Sequence, residues 1–441
     1  MRDALLLLFL GGALLTVIRY PYAGLLLWAW FVLATPQQAA YAADQLPLNL
    51  LIAAGTIFAF FLHTEYRRFQ ATTFLIFALL FMAWLFVAQT FSLAPGATAV
   101  AHDRFWKIML FVVLTAIGTS DRLRFHALLW VYLLVMALYA AKGAAFGLLY
   151  PSEIYYGLDE TILYDNNHIG IALAATLPLY FYLAARAPNS ILKWGAVGVA
   201  GLCIGAVLAT HSRGAFITLV VALIALWWRS RFKISGALAG VGAALLGLAL
   251  LPSDWVERMA TIAEADEDAS FQGRLGAWEV NWRLALDNPF TGAGLRAAYE
   301  EDVVALVSNR PPLAAHSIYF EVLGGTGFIG LFFYLGMILF GVWTARHLWR
   351  RAAKAGRQNW RADFAKFAEI SLIAFAVGGA SVSMEMWEGY LIVLILVAAL
   401  PRLAEGTATD ARGNTGSAPS AARIKARVTA ATLDRSERQR P

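Results

Sequence analysis

The chain has 441 residues, 60% of them hydrophobic and only 15% charged, with a formal net charge of +6. A water-soluble domain of this length would not stay in solution at that balance, so the composition excludes a soluble enzyme or binding module and marks a membrane protein. The positive excess comes from loops between apolar runs and from the C-terminal tail, with no nucleic-acid motif beside it, so it reports topology and not a DNA or RNA partner.

Taken in chain order, long apolar runs cover 4–18, 48–62, 72–91, 123–149, 234–251 and 318–343 among others. A bilayer core needs roughly 20 helical residues, so the chain is expected to hold about twelve or thirteen transmembrane helices. Strands of alternating polarity are absent, which leaves helices as the way to satisfy backbone hydrogen bonds in hydrocarbon and predicts an all-α polytopic membrane protein. The start "MRDALLLLFLGG" has a weak basic region and no convincing cleavage site, and it reads as a retained first helix. Two short runs flank "RYPY" (19–22) and form either two crossings or a hairpin. Cys203 is the only cysteine, so no internal disulfide or cysteine zinc site is possible.

Lysine and arginine gather in alternate loops, near Arg67, near Arg122, from Arg186 to Lys193, near Arg231 and from Arg346 onward. Those loops are expected on the cytoplasmic side. The segments 150–165 and 384–390 carry acids without a base and fall on the outer side, together with "HSRG" (211–214) and the long polar segment that follows. The expected organisation is therefore N-terminal transmembrane helices over 1–251, a large and partly helical outer loop over 252–315, C-terminal transmembrane helices over 316–401, and a disordered cytoplasmic tail over 402–441.

Lys142 lies inside an apolar run about two turns below the outer surface, where it is costly unless it pairs or reaches a polar cavity. In "YDNNHIG" (164–170), Asp165, Asn166 and Asn167 suit a helix cap and equally suit sugar hydroxyls. Arg213 opens an apolar run at the outer face, where it either snorkels or grips phosphate oxygens with its planar fork; His211, two residues away, could donate to the same anion or only cap the helix. In the outer loop, Leu275, Trp278, Trp282 and Leu286 share one stripe of a helix that stops at Asn288-Pro289 and would lie on the membrane surface. Arg274 then falls in its first turn, opposed by the helix dipole unless an anion binds there. "EADEDAS" (264–270) resembles a metal-binding acid cluster but reads more readily as a solvated charge run.

His316 stands at the entry of the next apolar run. A neutral imidazole there could take a proton from a hydroxyl, or it could merely cap the helix. Tyr319 is one turn along and could share the site, whereas Glu321 is turned aside from His316 but could orient a neighbour or pair with a cation. "LGGTGFIG" lacks the lysine and strand of a phosphate loop, and its small residues are expected to allow close packing.

The pieces "HSRGAF", "GRLGAWEVNWRLALDNPFTGAG" and "AHSIYFEVLGGTGFIGL", in that order around a long loop, resemble the O-antigen ligase and O-antigen polymerase superfamily of bacterial envelope glycosyltransferases. "AAKGAAF" and "DNNHIGIALAATLPL" further resemble the branch named as exosortase-associated O-glycosylation ligases. The resemblance covers nearly the whole chain. It implies a GT-C-like glycosyltransferase fold in the bacterial inner membrane with the active site facing the periplasm. The implied reaction is metal-independent and inverting, with no cofactor and no nucleotide sugar. A glycan passes from undecaprenyl diphosphate to a lipid A-core sugar hydroxyl or another hydroxyl acceptor. His316 takes the place of the family's loop histidine, and Arg213 and Arg274 those of its diphosphate-binding arginines. Lys142, Asp165, Asn166, Asn167, His211 and Tyr319 are further candidates for substrate binding. An O-antigen polymerase, a protein O-glycosylation ligase and, outside enzymes, a transporter of lipid-linked solutes are the competing readings.

Overall fold

The computed structural model describes residues 2–39, 46–63, 71–159, 161–250, 253–260, 269–357 and 359–403. They form helices α1 (Arg2–Arg19), α2 (Pro21–Ala34), α3 (Leu48–Leu62), α4 (Thr73–Thr90), α5 (Pro95–Gly118), α6 (Arg122–Leu149), α7 (Asn166–Arg186), α8 (Ser190–Ala209), α9 (Arg213–Arg229), α10 (Lys233–Leu250), α11 (Ser253–Ala260), α12 (Ala269–Asp287), α13 (Glu301–Ala305), α14 (Ile318–Lys354), α15 (Trp360–Gly378) and α16 (Glu388–Ala399). No strand occurs among the described residues. The protein is an all-α polytopic membrane protein.

Among the described residues, six helices are long and apolar enough to cross a membrane: those over Thr73–Thr90, Arg122–Leu149, Asn166–Arg186, Ser190–Ala209, Ile318–Lys354 and Trp360–Ser381. The expected twelve or thirteen spans exceed that number for local reasons. Helices α2 and α3 are apolar but short, α16 has 12 residues, and α5 carries Asp103, Arg104 and Lys107 within its length. The basic loop near Arg67, most of the acid run at 264–270 and the tail beyond residue 403 lie outside the described residues.

Helix boundaries follow local chemistry. Asp121, Asn189, Ser212 and Asn359 each turn a side-chain oxygen onto a backbone N–H of the turn they precede, and proline opens α2 and α5, where a missing N–H costs nothing. Helix α16 is buried along its whole length. It packs against α2, α4, α5, α6, α14 and α15, and so forms the axis of the bundle. A helix apolar on every face is stable only in such a position.

Two features fix the ends of this bundle. At one end the fully buried carboxylate of Glu369 accepts from Arg346 Nε at 2.6 Å and Trp349 Nε1 at 2.5 Å, and pairs with Arg229 at 2.8 Å, tying α9, α14 and α15 together. At the other end α14 breaks at Gly327, with φ 70° and ψ −174°. Here the small residues of "LGGTGFIG" admit a loop. Phe328 N–H donates to Pro289 O at 2.9 Å and Ala293 N–H to Gly324 O at 2.8 Å. A Cβ on Gly327 would stand 2.3 Å from Phe290 O, so only glycine fits. The loop in turn reaches the N-terminal half, where Leu93 N–H donates to Ala293 O and Thr98 Oγ1 to Leu295 O.

Candidate functional site

The N-terminus of α7 and the turn between α8 and α9 form one hydrogen-bonded unit. Asp165 caps α7 by accepting from the backbone N–H of Asn167 at 2.9 Å and of His168 at 3.3 Å. Asn166 Nδ2 donates across to Thr210 O at 2.8 Å, and Ser212 Oγ to Asn167 Oδ1 at 2.6 Å. Ser212 also caps α9, whose first residue is Arg213. The "DNNH" and "HSRG" segments, read separately in the sequence, are thus a single assembly, and the cap role expected of Asp165 is present. Helices α7 and α9 come this close because Gly170 faces Ala215 and Thr210 without a side chain of its own. His211 sits in the turn at φ 50°, and its carbonyl accepts from Arg258 Nε of α11 at 2.9 Å.

His316 is carried on a strained turn, with φ 44°, just before α14. The residue before it, Ala315, is pinned through both its carbonyl and its N–H. Trp278 Nε1 of α12 donates to Ala315 O at 2.7 Å, and Ala315 N–H donates to Glu321 Oε1 at 3.2 Å. Trp278 also stacks on Phe320, with ring centroids 5.1 Å apart and planes 12° from parallel. The imidazole Nδ1 is buried and has no hydrogen-bond partner among the described residues. Burial holds the His316 pKa below its ordinary value, Arg274 and His168 push it the same way, and Asp165 and Glu321 oppose them. The ring is therefore neutral around pH 7, with Arg274 and Asp165 within electrostatic reach.

Glu321, seen in the sequence as turned aside from His316, is the hub of the adjoining network. Its Oε1 accepts from Tyr299 OH at 2.7 Å and Ser383 Oγ at 2.8 Å as well as from the Ala315 amide. Arg296 lies between two acids, 3.6 Å from Glu321 Oε2 and 3.4 Å from Glu385 Oε1, and donates to Tyr299 OH. Burial works against the Arg296 charge, but Glu385 and Glu321 outweigh it and hold the guanidinium protonated. Burial, and then the Glu321 charge, raise the Tyr299 hydroxyl well above its ordinary range, so it remains a donor.

The remaining sequence candidates fall differently. Arg274 is the sixth residue of α12, which begins at Ala269, so it lies beyond the first turn and the helix-dipole reason for an anion there is withdrawn. Of the expected stripe, Leu275, Trp282 and Leu286 are exposed but Trp278 is half-buried against Phe320, while the opposite face of α12, with Ala277, Asn281 and Leu284, is buried. Tyr319 donates its hydroxyl to Ala376 O of α15 at 2.6 Å. Lys142 is exposed on α6, and no hydrogen bond or ion pair holds it among the described residues. Arg296, Tyr299, Ser383 and Glu385 were not singled out from the sequence. The one sequence signal for them is the acid-bearing outer loop "MEMWEGY", which by itself indicates only topology.

Residues 198–335, which hold Arg213, Arg274, Arg296, His316 and Glu321, match a family model described as O-antigen ligase. Residues 1–187 match a family model described as a family of unknown function. No curated protein matches the chain.

Proposed function

We propose, for a chain that belongs to the O-antigen ligase superfamily, that it transfers a glycan from undecaprenyl diphosphate to a sugar hydroxyl of lipid A core at the outer face of the bacterial inner membrane. The match over residues 198–335 supports a lipid-linked glycan ligase or polymerase. The observation that carries it is the His316 turn. A neutral imidazole with its Nδ1 buried follows Ala315, which is held through both its carbonyl and its N–H, within electrostatic reach of Arg274 and of the Asp165 cap that leads to Arg213.

In this reading Arg213 and Arg274 grip the diphosphate, whose oxygens their planar forks match. His316 removes the proton of the acceptor hydroxyl as its oxygen bonds to the anomeric carbon. The bond from that carbon to the diphosphate oxygen breaks on the opposite side, which inverts the configuration. The electron pair leaves on undecaprenyl diphosphate, where the arginines stabilise it, and the proton stays on the imidazole. The Glu321, Arg296 and Glu385 network keeps the turn in place and does not touch the ring. Lys142, Asp165, Asn166, Asn167, His211 and Tyr319 surround or support the donor's sugars as secondary contacts.

The test is reconstitution of the full chain with a defined undecaprenyl-diphosphate glycan and separate acceptors: a lipid A-core sugar, a free repeat unit and a serine-containing peptide. Transfer to the lipid A-core sugar alone supports the ligase. Transfer to the repeat unit or the peptide replaces it with a polymerase or a protein ligase, and movement of the lipid with no glycosidic bond formed rejects enzymatic transfer.

A further inference from the structure

At the same end of the bundle, but away from His316, helices α2, α3, α5 and α6 surround a cavity of about 660 Å³. Its lining includes Ile162 and Leu163, which lead into the Asp165 cap, and Glu388, three residues after Glu385. A volume of this size lies within the range of about 300–1,000 Å³ typical of small-molecule pockets. Apart from Trp387 and Glu388, its walls come from residues 28–163, the part of the chain matched only by a family of unknown function.

The cavity is graded along the bundle. Polar residues, among them Gln37, Asn49 and Thr161, form its outer part, and Trp28, Ala53, Ile57 and Phe111 form the inner part. From Asn49 to Ile57 the wall descends eight residues of α3, about 12 Å at the helical rise. That profile suits a molecule with a polar head and a hydrocarbon chain.

Four groups specify the head. Trp387 is 1% exposed and its indole Nε1 has no hydrogen-bond partner among the described residues, and Gln37 Oε1 is likewise buried and without a partner among them. Arg104 acts electrostatically on Glu388 and Glu385 but makes no ion pair at contact distance among the described residues, whereas Lys107 is held by Asp103 at 2.6 Å. Glu388 is buried and bonds to no other side chain. Two donors, Arg104 and Trp387, thus call for acceptor oxygens, and two acceptors, Gln37 and Glu388, call for hydroxyl donors. A simple fatty acid or a choline head would leave the acceptors without partners, which is costly when they are buried.

We propose that this cavity binds a membrane amphipath with a hydroxyl-bearing phosphate head, its phosphate on Arg104 and its hydrocarbon chain along Ala53, Ile57 and Phe111. The same chemistry is present in a bilayer lipid such as phosphatidylglycerol and in a polyprenyl phosphate carrying a sugar. Binding here is separate from the reaction assigned to His316.

Native mass spectrometry of the full chain in detergent tests it, with phosphatidylglycerol, a monoglycosylated polyprenyl phosphate and phosphatidylcholine as probes. One hydroxyl-bearing lipid is expected to bind at least tenfold more tightly than phosphatidylcholine. Arg104→Gln should weaken it about tenfold, the loss expected for a hydrogen bond to a charged group. Ala53→Trp, which fills the channel, should abolish the adduct. Tighter binding of phosphatidylglycerol assigns the site to a bilayer lipid, and tighter binding of the sugar phosphate assigns it to a glycolipid. Because Arg104 is exposed, its substitution spares the fold even where Ala53→Trp does not. Adducts unchanged in Arg104→Gln, or phosphatidylcholine bound as tightly as the other two, would overturn the proposal.

Discussion

Glu321 holds His316 in place without touching its ring: Glu321 Oε1 accepts the N–H of Ala315, the residue before the histidine, at 3.2 Å. The same oxygen takes hydrogen bonds from Tyr299 and Ser383, so one carboxylate ties the turn to both. Glu321→Gln keeps the shape but replaces the charge beside Arg296. Misplacement of a reacting group by an ångström costs on the order of a hundredfold in rate. We therefore expect Glu321→Gln to lower kcat by about ten- to a hundredfold with the donor KM nearly unchanged, as steady-state transfer kinetics would reveal. An equal rise in KM would instead make Glu321 a binding residue.

The pH profile carries a second expectation. Burial, followed by the Arg274 charge, lowers the His316 pKa, so the neutral form that accepts a proton predominates at all pH values above the ordinary histidine range. Transfer should be flat from about pH 6.5 upward and should fall on the acid side. Arg274→Gln removes one cause of the lowering, so the acid limb should move to higher pH. A limb that stays in place in that variant would show that another group titrates.

How much of this was legible beforehand differs between fold and site. Apolar runs and caps are local signals, and they revealed the all-α membrane architecture, the Asp165 cap and the end of α12 at Asp287. The Arg274 position slipped because α12 starts at Ala269, earlier than the apolar stripe indicates. The network around Glu321 joins residues up to 89 positions apart in the chain, and no periodicity records such a meeting. The break at Gly327 was equally hidden, since a run of small residues looks the same whether a helix or a loop packs against it.

At the far end of the bundle, Glu369→Ala should destabilise the protein. Removing one partner of a buried charge cluster costs about 3–5 kcal/mol, and Arg229, Arg346 and Trp349 all rely on this fully buried carboxylate. Thermal unfolding in detergent should show a lower Tm, with transfer per folded molecule preserved. An unchanged Tm would mean that the cluster is not a brace.

Gly327→Ala should reduce the folded yield, because its Cβ would meet the Phe290 carbonyl and the Gly292 amide, both backbone atoms, and its φ of +70° disfavours any side chain. Size-exclusion profiles of the purified variant check this. A monodisperse yield equal to that of the parent protein would show that the loop over 289–295 can move aside.

The most direct measurement pairs donor binding with transfer in reconstituted protein carrying His316→Ala or Arg213→Gln. The account predicts that the histidine variant binds the undecaprenyl-diphosphate glycan as the parent does but forms no glycosidic bond, and that the arginine variant loses both. Full transfer by His316→Ala would contradict it.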